Sequence, residues 1–523
     1  MFHFKTPRGR TNSRLFNVVQ FPGVDELEPN DPGSSPQKIA LQPQVLHGYL
    51  RGRQDIDVYE FTARAGERWV FDLRSIEYGS HLECELLLED SAGQRVAFND
   101  DRDDYLETPR IEHRFANHGV YRLRVDQYRG PQQVNCAENC GYMIEISRLP
   151  VVIAADPLGL SPGVRQRVRL FGAGLDGARA VSIATVRAGE YYRLTFPFTI
   201  PVRAGADHTA RIGGVVAGRG SDWIDVDFDV PATAEEGLWR LWVDTEHGNA
   251  DGINLEVSRG AGVDESNARR TSWASGPLTV NGRLASAGEE DSYWIDAAPD
   301  RPIRAFTLAT QLGLPTIDTV LELFDAEGKL LAEHDDLMTG QGTVIGNPDS
   351  SLYYVPKKAG RLRLVVRDRI GRGGSTFAYR LHLSNDSPGF RLLTEPEEFR
   401  IAPGQEGSME VLLIPDPGFG EAVEVWAEGF PGGVTSSRER FPGDQPFGPS
   451  GDADNILIPT VEVKIRTPAS LEAGEYPIRV YGRAASGGPA VEAFTTLWIG
   501  PPRKRNDVRR PLPAVTMSVT ALE

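Results

Sequence analysis

Apolar and polar positions alternate along most of this chain with a period of two. Trp69-Val-Phe-Asp-Leu73, Tyr121-Arg-Leu-Arg-Val125, Gln166-Arg-Val-Arg-Leu-Phe171, Leu238-Trp-Arg-Leu-Trp-Val243, Met409-Glu-Val-Leu-Leu-Ile414 and Val461-Glu-Val-Lys-Ile465 are of this kind. Successive side chains of an extended strand point to opposite faces, so such runs predict strands with one face on a core and one in water. Between them lie stretches rich in Gly, Pro, Asn, Asp and Ser, the residues that turn a chain. Few segments read as helix, and without helical crossovers a parallel βαβ architecture is disfavoured. The expected fold class is all-β, in tandem β-sandwich domains.

The pattern also repeats on a larger scale. Asp90-Ser-Ala-Gly93-Gln-Arg-Val-Ala97-Phe-Asn-Asp100-Asp101 recurs as Asp325-Ala-Glu-Gly328-Lys-Leu-Leu-Ala332-Glu-His-Asp335-Asp336, at a fixed offset of 235 residues. Each copy reads as strand, Gly turn, strand and acidic corner. Upstream, Asp57-Val-Tyr59 has a counterpart in Asp291-Ser-Tyr293, and Glu28-Pro-Asn30 is matched to Glu265-Ser-Asn267. Downstream, Gly119–Val125 matches Gly360–Val366, and each copy closes on a Tyr-led strand, Tyr142–Ile146 and Tyr379–Leu383. One module of roughly 120 residues therefore occurs twice. The expected layout is a tail over 1–22, the first repeat over 23–150, an immunoglobulin-like sandwich over 151–259, the second repeat over 260–386, another immunoglobulin-like sandwich over 387–500, and a disordered tail over 501–523.

A chain of 523 residues exceeds single-core size, and its 40% hydrophobic content is enough for several packed cores. Gly 55 and Pro 37 suit many short strands joined by turns. A net charge of −17 repels phosphate backbones, which disfavours nucleic acid as a partner. No apolar run approaches the roughly 20 residues of a membrane-spanning helix. Cys136 and Cys140 sit close together in a polar loop, where a local disulfide would fit an oxidising compartment, whereas Cys84 reads as a small buried hydrophobe. The basic N-terminus lacks an apolar core of signal-peptide type. The chain is therefore expected to follow an export signal that lies outside it, or to be part of a larger exported protein, with residence in the cytoplasm as the remaining alternative.

Glu28-Pro-Asn-Asp31, Asp55-Ile-Asp57-Val-Tyr59, the Asp-x-x-Gly hairpin ending Asn99-Asp100-Asp101 and the Gly-x-Tyr-x-x-x-Val strand together resemble the bacterial pre-peptidase C-terminal domain. The resemblance covers both repeats, about half of the chain. That family is a small jelly-roll-like β-sandwich, appended to secreted proteases or found in surface proteins without one, and it is similar to the collagen-binding domain of collagenases. The resemblance implies calcium ligands at Glu26, Glu28, Asn30 and Asp31, with Asp55 and Asp57 from the adjacent strand. In the second repeat it implies a weaker set, Glu265, Asn267, Glu290 and Asp291, with Glu289 available to compensate. The chemistry is sound by itself: calcium takes six to eight oxygens, and this many carboxylates without a cation would repel one another.

Catalytic signatures are poor. Gly159-Leu-Ser161-Pro-Gly163 has the form of a nucleophile elbow, but Pro162 carries no N–H for an oxyanion hole and no helical pattern follows. The glycines of Gly371–Gly374 lack a following Lys-Ser/Thr helix, and no His-Glu-x-x-His is present. Tyr191-Tyr192, Trp223, Tyr353-Tyr354 and Trp426 are candidates for an aromatic platform. The expected function is a non-catalytic, secreted or cell-surface binding and spacing protein, calcium-stabilised, with an extracellular protein or polysaccharide ligand. The alternative is the accessory C-terminal region of a secreted protease or other hydrolase.

Overall fold

The structure is a computed structural model. It describes residues 4–6, 9–10 and 18–519, apart from 33–34, 53, 76–79, 81, 102–107, 129–139, 186–209, 260–261, 315–316, 336, 340–344, 348, 397, 445–447, 450–455, 499–508 and 513–514. Among the described residues the regular structure is almost wholly β-strand, in tandem β-sandwich domains.

The first repeat forms two five-stranded sheets. In spatial order one runs Arg110–Arg114, Arg68–Arg74, Gly141–Ser147, Gln44–Tyr49 and Gly23–Asp25; the other runs Gln37–Lys38, Asp57–Ala63, Gly119–Gln127, Cys84–Asp90 and Arg95–Asn99. Every pairing is antiparallel except those of the short edge strands Gly23–Asp25 and Gln37–Lys38. The alternation seen in the sequence sets the faces: Tyr59, Phe61, Leu86, Leu88, Leu123 and Val125 turn inward to one apolar cluster.

The second repeat follows the same order strand for strand. Ser351–Tyr354, Ile303–Leu308, Ala378–Ser384, Leu278–Arg283 and Gly262–Asp264 make one sheet; Ser272–Trp273, Glu290–Ala297, Gly360–Asp368, Thr319–Phe324 and Leu330–His334 make the other. The two short parallel edge strands recur as well.

Between the repeats lies one eight-stranded sheet. Its two outermost strands, Val151–Asp156 and Gly159–Leu160, are consecutive in the chain, so the sheet folds over on itself around Val168, Leu170, Val226, Phe228 and Trp239. The last domain pairs two sheets. Residues 501–523, expected as a disordered tail, contribute to both: Arg509–Leu512 extends one sheet, and Val515–Val519 lies between Glu398–Ile401 and Gly474–Ala484 in the other. Val515, Met517 and Val519 are all buried. The period-two signal in Val515-Thr-Met-Ser-Val519 is present in the sequence, but the basic run Arg503-Lys-Arg505 ahead of it masks it.

The junctions are tightly bonded. Arg68 of the first repeat pairs with Glu112 at 2.8 Å and donates to the carbonyls of Leu149 and Ala173. Glu256 meets the fully buried Arg380 and, at 2.9 Å, His382 of the second repeat. Asp416 takes Arg304 at 2.7 Å and Arg391 at 3.1 Å. A single apolar cluster runs from the second domain through the third and takes in Leu393 and Ile414 of the fourth; the first and fourth domains also have cores of their own.

Candidate metal centre

At one end of the first repeat, the turn after Gly23–Asp25 meets the start of the strand Asp57–Ala63. Glu26 accepts from the Tyr49 N–H at 2.7 Å, Glu28 from the Asn30 N–H at 3.0 Å, and Asp31 from the Ile56 N–H at 3.1 Å. Asp55 accepts from the Arg51 N–H. These bonds hold carboxylates of Glu28, Asp31 and Asp55 so that one oxygen of each lies within 4.8 Å of the others, at the protein surface. Asn30 is 0% exposed, yet neither its Oδ1 nor its Nδ2 has a hydrogen-bond partner. Asp57 Oδ1 likewise meets no donor group, although its carboxyl is close enough to that of Glu26 for the two to share a proton. Buried polar atoms are almost always bonded, because leaving one bare costs about 1–3 kcal/mol. The sequence-derived set Glu26, Glu28, Asn30, Asp31, Asp55 and Asp57 thus falls in one region, and its deepest members have free lone pairs.

Two features escape the sequence reading. The other oxygen of Asp57 accepts from the Tyr142 hydroxyl, which lies 2.7 Å from that of Tyr59. Tyr142 can reach Asp57 because its ring crosses Gly48, its partner on the adjacent strand; a Cβ there would lie 2.1 Å from Tyr142 Cζ. Burial pushes Asp57 up to about 8, against the Tyr142 bond that favours the carboxylate, and Glu26 and Asp55 add like-charge repulsion. The counter-charge comes from Arg51, 3.0 Å from both Glu26 and Glu28, but its side chain is 57% exposed and caps the cluster from the solvent side.

The second repeat keeps the frame and changes the filling. Tyr379 donates to Asp291 at 2.5 Å and lies 2.5 Å from the Tyr293 hydroxyl, with its ring across Gly282. Strand register pairs Asp25 with His47 and Asp264 with Asn281, and the bond from Tyr49 to Glu26 reappears from Arg283 to Glu265 at 2.9 Å. Glu265 therefore stands where Glu26 does, two residues away from the match to Glu28 suggested by the sequence. The shift follows from local structure: Asp264 caps a short helix, Glu265–Ala268, where the first repeat has Glu-Leu-Glu-Pro. Asn267 consequently lies exposed on that helix, and Glu290 is exposed on the sheet face opposite Asp291. Neither stands with Glu265 and Asp291. The side chain that does is Arg269, bonded to Asp291, 3.4 Å from Glu265 and 3.7 Å from Glu289. Burial lifts Asp291 as well, to about 7, with the Tyr379 bond and Arg269 pulling the other way.

The other candidates resolve as follows. Gly159, in the elbow-like stretch, is a close approach between domains: a Cβ would fall 1.7 Å from Arg380 Nη1. The Ser161 N–H is taken by Gln166 at 2.5 Å. Trp223 lies under Arg169, Tyr353 packs on Gly418, and Trp426 stacks on Tyr481 beneath Arg438 and Arg483. Tyr191 and Tyr192 lie outside the described residues. Cys140 is disulfide-bonded and Cys84 is a buried thiol beside Ser75; Cys136 lies outside the described residues. Among the described residues no helix is long and apolar enough to cross a membrane.

No protein-family model matches the chain. A probable subtilase-type serine protease of Deinococcus radiodurans is 31% identical over 86 residues, which are 16% of this chain and 12% of that protein's length. Among solved structures, the pre-peptidase C-terminal domain of a Bacillus anthracis collagenase aligns over 22% of this chain and 99% of its own, with 15% identity and a TM-score of 0.18. A putative membrane-anchored protein of Corynebacterium diphtheriae aligns over 87% of this chain and 97% of its own, with 9% identity and a TM-score of 0.15.

Proposed function

We propose that the chain is a non-catalytic, exported array in which two pre-peptidase C-terminal-type modules alternate with two immunoglobulin-like sandwiches, and that calcium holds the first module together. It serves as a binding or spacing element at the cell surface or in the extracellular matrix, presented to an extracellular protein or polysaccharide. The identical strand order of the repeats supports the duplication. The split first strand of the intervening sheet, one half pairing with each side, suits an immunoglobulin-like sandwich. Buried ion pairs at the junctions suit a spacer that holds its modules in fixed relation.

The observation that carries the calcium reading is the buried, unpartnered Asn30 amide beside Glu28, Asp31 and Asp55. Asn30 Oδ1, the free oxygen of Asp57 and those three carboxylates are the oxygen-rich, anionic donor set a hard cation takes. Bound there, calcium would supply positive charge to a cluster that Arg51 neutralises only from outside. The test is calorimetric titration of calcium into chelator-treated protein, with melts in calcium and in chelator. Heat of binding with a raised Tm, abolished in Asn30→Ala and Asp31→Ala, is expected; no heat and no shift would remove calcium from the account.

The second reading, an accessory region of a secreted protease, draws on the 86-residue similarity to a subtilase-type protease. A catalytic domain encoded in the same reading frame would establish it.

A further inference from the structure

We infer that Arg269 is a built-in cation: its guanidinium does in the second repeat what calcium does in the first, so the second repeat holds its fold without metal. Strand register and shared hydrogen bonds make Glu265 the counterpart of Glu26 and Asp291 that of Asp57. Glu289, two residues before Asp291, corresponds to Asp55. Arg269 touches all three of these carboxylates with one nitrogen. In the same register Arg269 falls at the position of Asn30, the residue whose amide is left bare in the first repeat. At that position one repeat thus has a neutral oxygen donor with nothing to bind, and the other has a cation already bound.

The remaining ligand positions changed in the same direction. Those of Glu28 and Asp31 are taken by the exposed Asn267 and by Arg270. Two carboxylates of the first repeat's set thus have no counterpart, and the three that remain, Glu265, Glu289 and Asp291, all face Arg269, which removes the need for an external charge. Arginine suits the task, because its delocalised guanidinium keeps its charge at any working pH. Asp291 is 0% exposed, so its charge needs a partner inside the fold.

For the first repeat the inference rests on the calcium reading above; for Arg269 it does not. The test is hydrogen exchange on the full chain, read separately in peptides covering 23–63 and 262–297, with calcium and with chelator. In the wild type, chelator should lower protection in 23–63 and leave 262–297 unchanged. Arg269→Gln should cost 262–297 about tenfold or more in protection and make that segment respond to calcium, since three neighbouring carboxylates are then left without a cation among them. Arg269→Lys, which keeps the charge, should remain protected and unresponsive. Chelator sensitivity of 262–297 in the wild type or in Arg269→Lys, or full protection of Arg269→Gln, would overturn the inference. If the wild type shows no calcium effect anywhere, the calcium reading of the first repeat fails, while the contrast between Gln and Lys still decides the role of Arg269.

Discussion

The two repeats share a strand order, a pair of parallel edge strands and a buried Asp–Tyr–Tyr unit laid over a glycine, yet they balance its charge differently. In the first, Asp57 keeps one bare oxygen beside the bare Asn30 amide, and the nearest cation, Arg51, sits outside. In the second, Arg269 is in direct contact with Asp291. The difference shows which part of the module belongs to the fold and which is adjustable. The tyrosines and glycine are interdigitated across strands, so a change in one is felt by the others. The turn leading into the sheet is not, and where a short helix replaces Glu-Leu-Glu-Pro a guanidinium stands in place of the Asn30 amide.

The largest expected effect tests whether the second repeat owes its independence to its neighbour rather than to Arg269. Glu256 is almost fully buried at the junction, and although burial alone would raise its pKa, His382 and Arg380 hold it down at about 2. Glu256→Ala leaves Arg380 buried without its carboxylate and should cost about 3–5 kcal/mol in thermal or denaturant unfolding. The loss should be equal in calcium and in chelator. A chelator effect on the second repeat that appears only in this variant would move the cause from Arg269 to the junction. The sign of the pH dependence follows from the same group. Its folded pKa of about 2 lies below the ordinary 4.5. Its stabilisation is therefore complete above about pH 4.5 and is lost as pH falls toward 2, which acid melts of the wild type against Glu256→Gln would show.

Next in size are the paired substitutions Gly48→Ala and Gly282→Ala. A Cβ would lie 2.1 Å from Tyr142 Cζ in the first case and 2.3 Å from Tyr379 Cζ in the second. Each should cost about 1–3 kcal/mol by forcing the ring off the strand. Near-equal losses in the two repeats would confirm the shared frame; a loss in only one would break the comparison at its base.

How much of this was legible in the sequence depends on the range over which each signal acts. Period-two alternation and Gly turns are local, so the strands are legible in the sequence, and the match of Asp57 to Asp291 agrees with the strand register. The pairing of Tyr142 with Asp57 spans 85 residues, and that of Tyr379 with Asp291 spans 88. Both tyrosines were visible as strand leaders, but nothing local says what their hydroxyls meet. The alignment of Glu265 with Glu28 failed because Glu-x-Asn occurs in both turns in different registers. Only the strand pairing at Asp25 and Asp264 fixes the correct one. In the sequence match Arg269 lies beyond the acidic stretch, and nothing local marks it.

The finest test removes one hydroxyl from each frame. In chelator, Tyr142→Phe deprives Asp57 of its hydroxyl donor and leaves a buried carboxyl group with its other oxygen already bare. Tyr379→Phe deprives Asp291 of the same donor, but Arg269 remains bonded to that carboxylate. An unsatisfied buried group costs its full desolvation, whereas a group that keeps a charged partner loses only one bond of two. The first substitution should therefore cost about 1–3 kcal/mol and the second about 1 kcal/mol. Calcium should shrink the first loss, by giving Asp57 a new partner, and leave the second unchanged. Chemical denaturation of both variants, with and without calcium, measures the four values. Equal losses that ignore calcium would mean that the two frames carry their charge in the same way, and that the contrast between Asn30 and Arg269 has no energetic consequence.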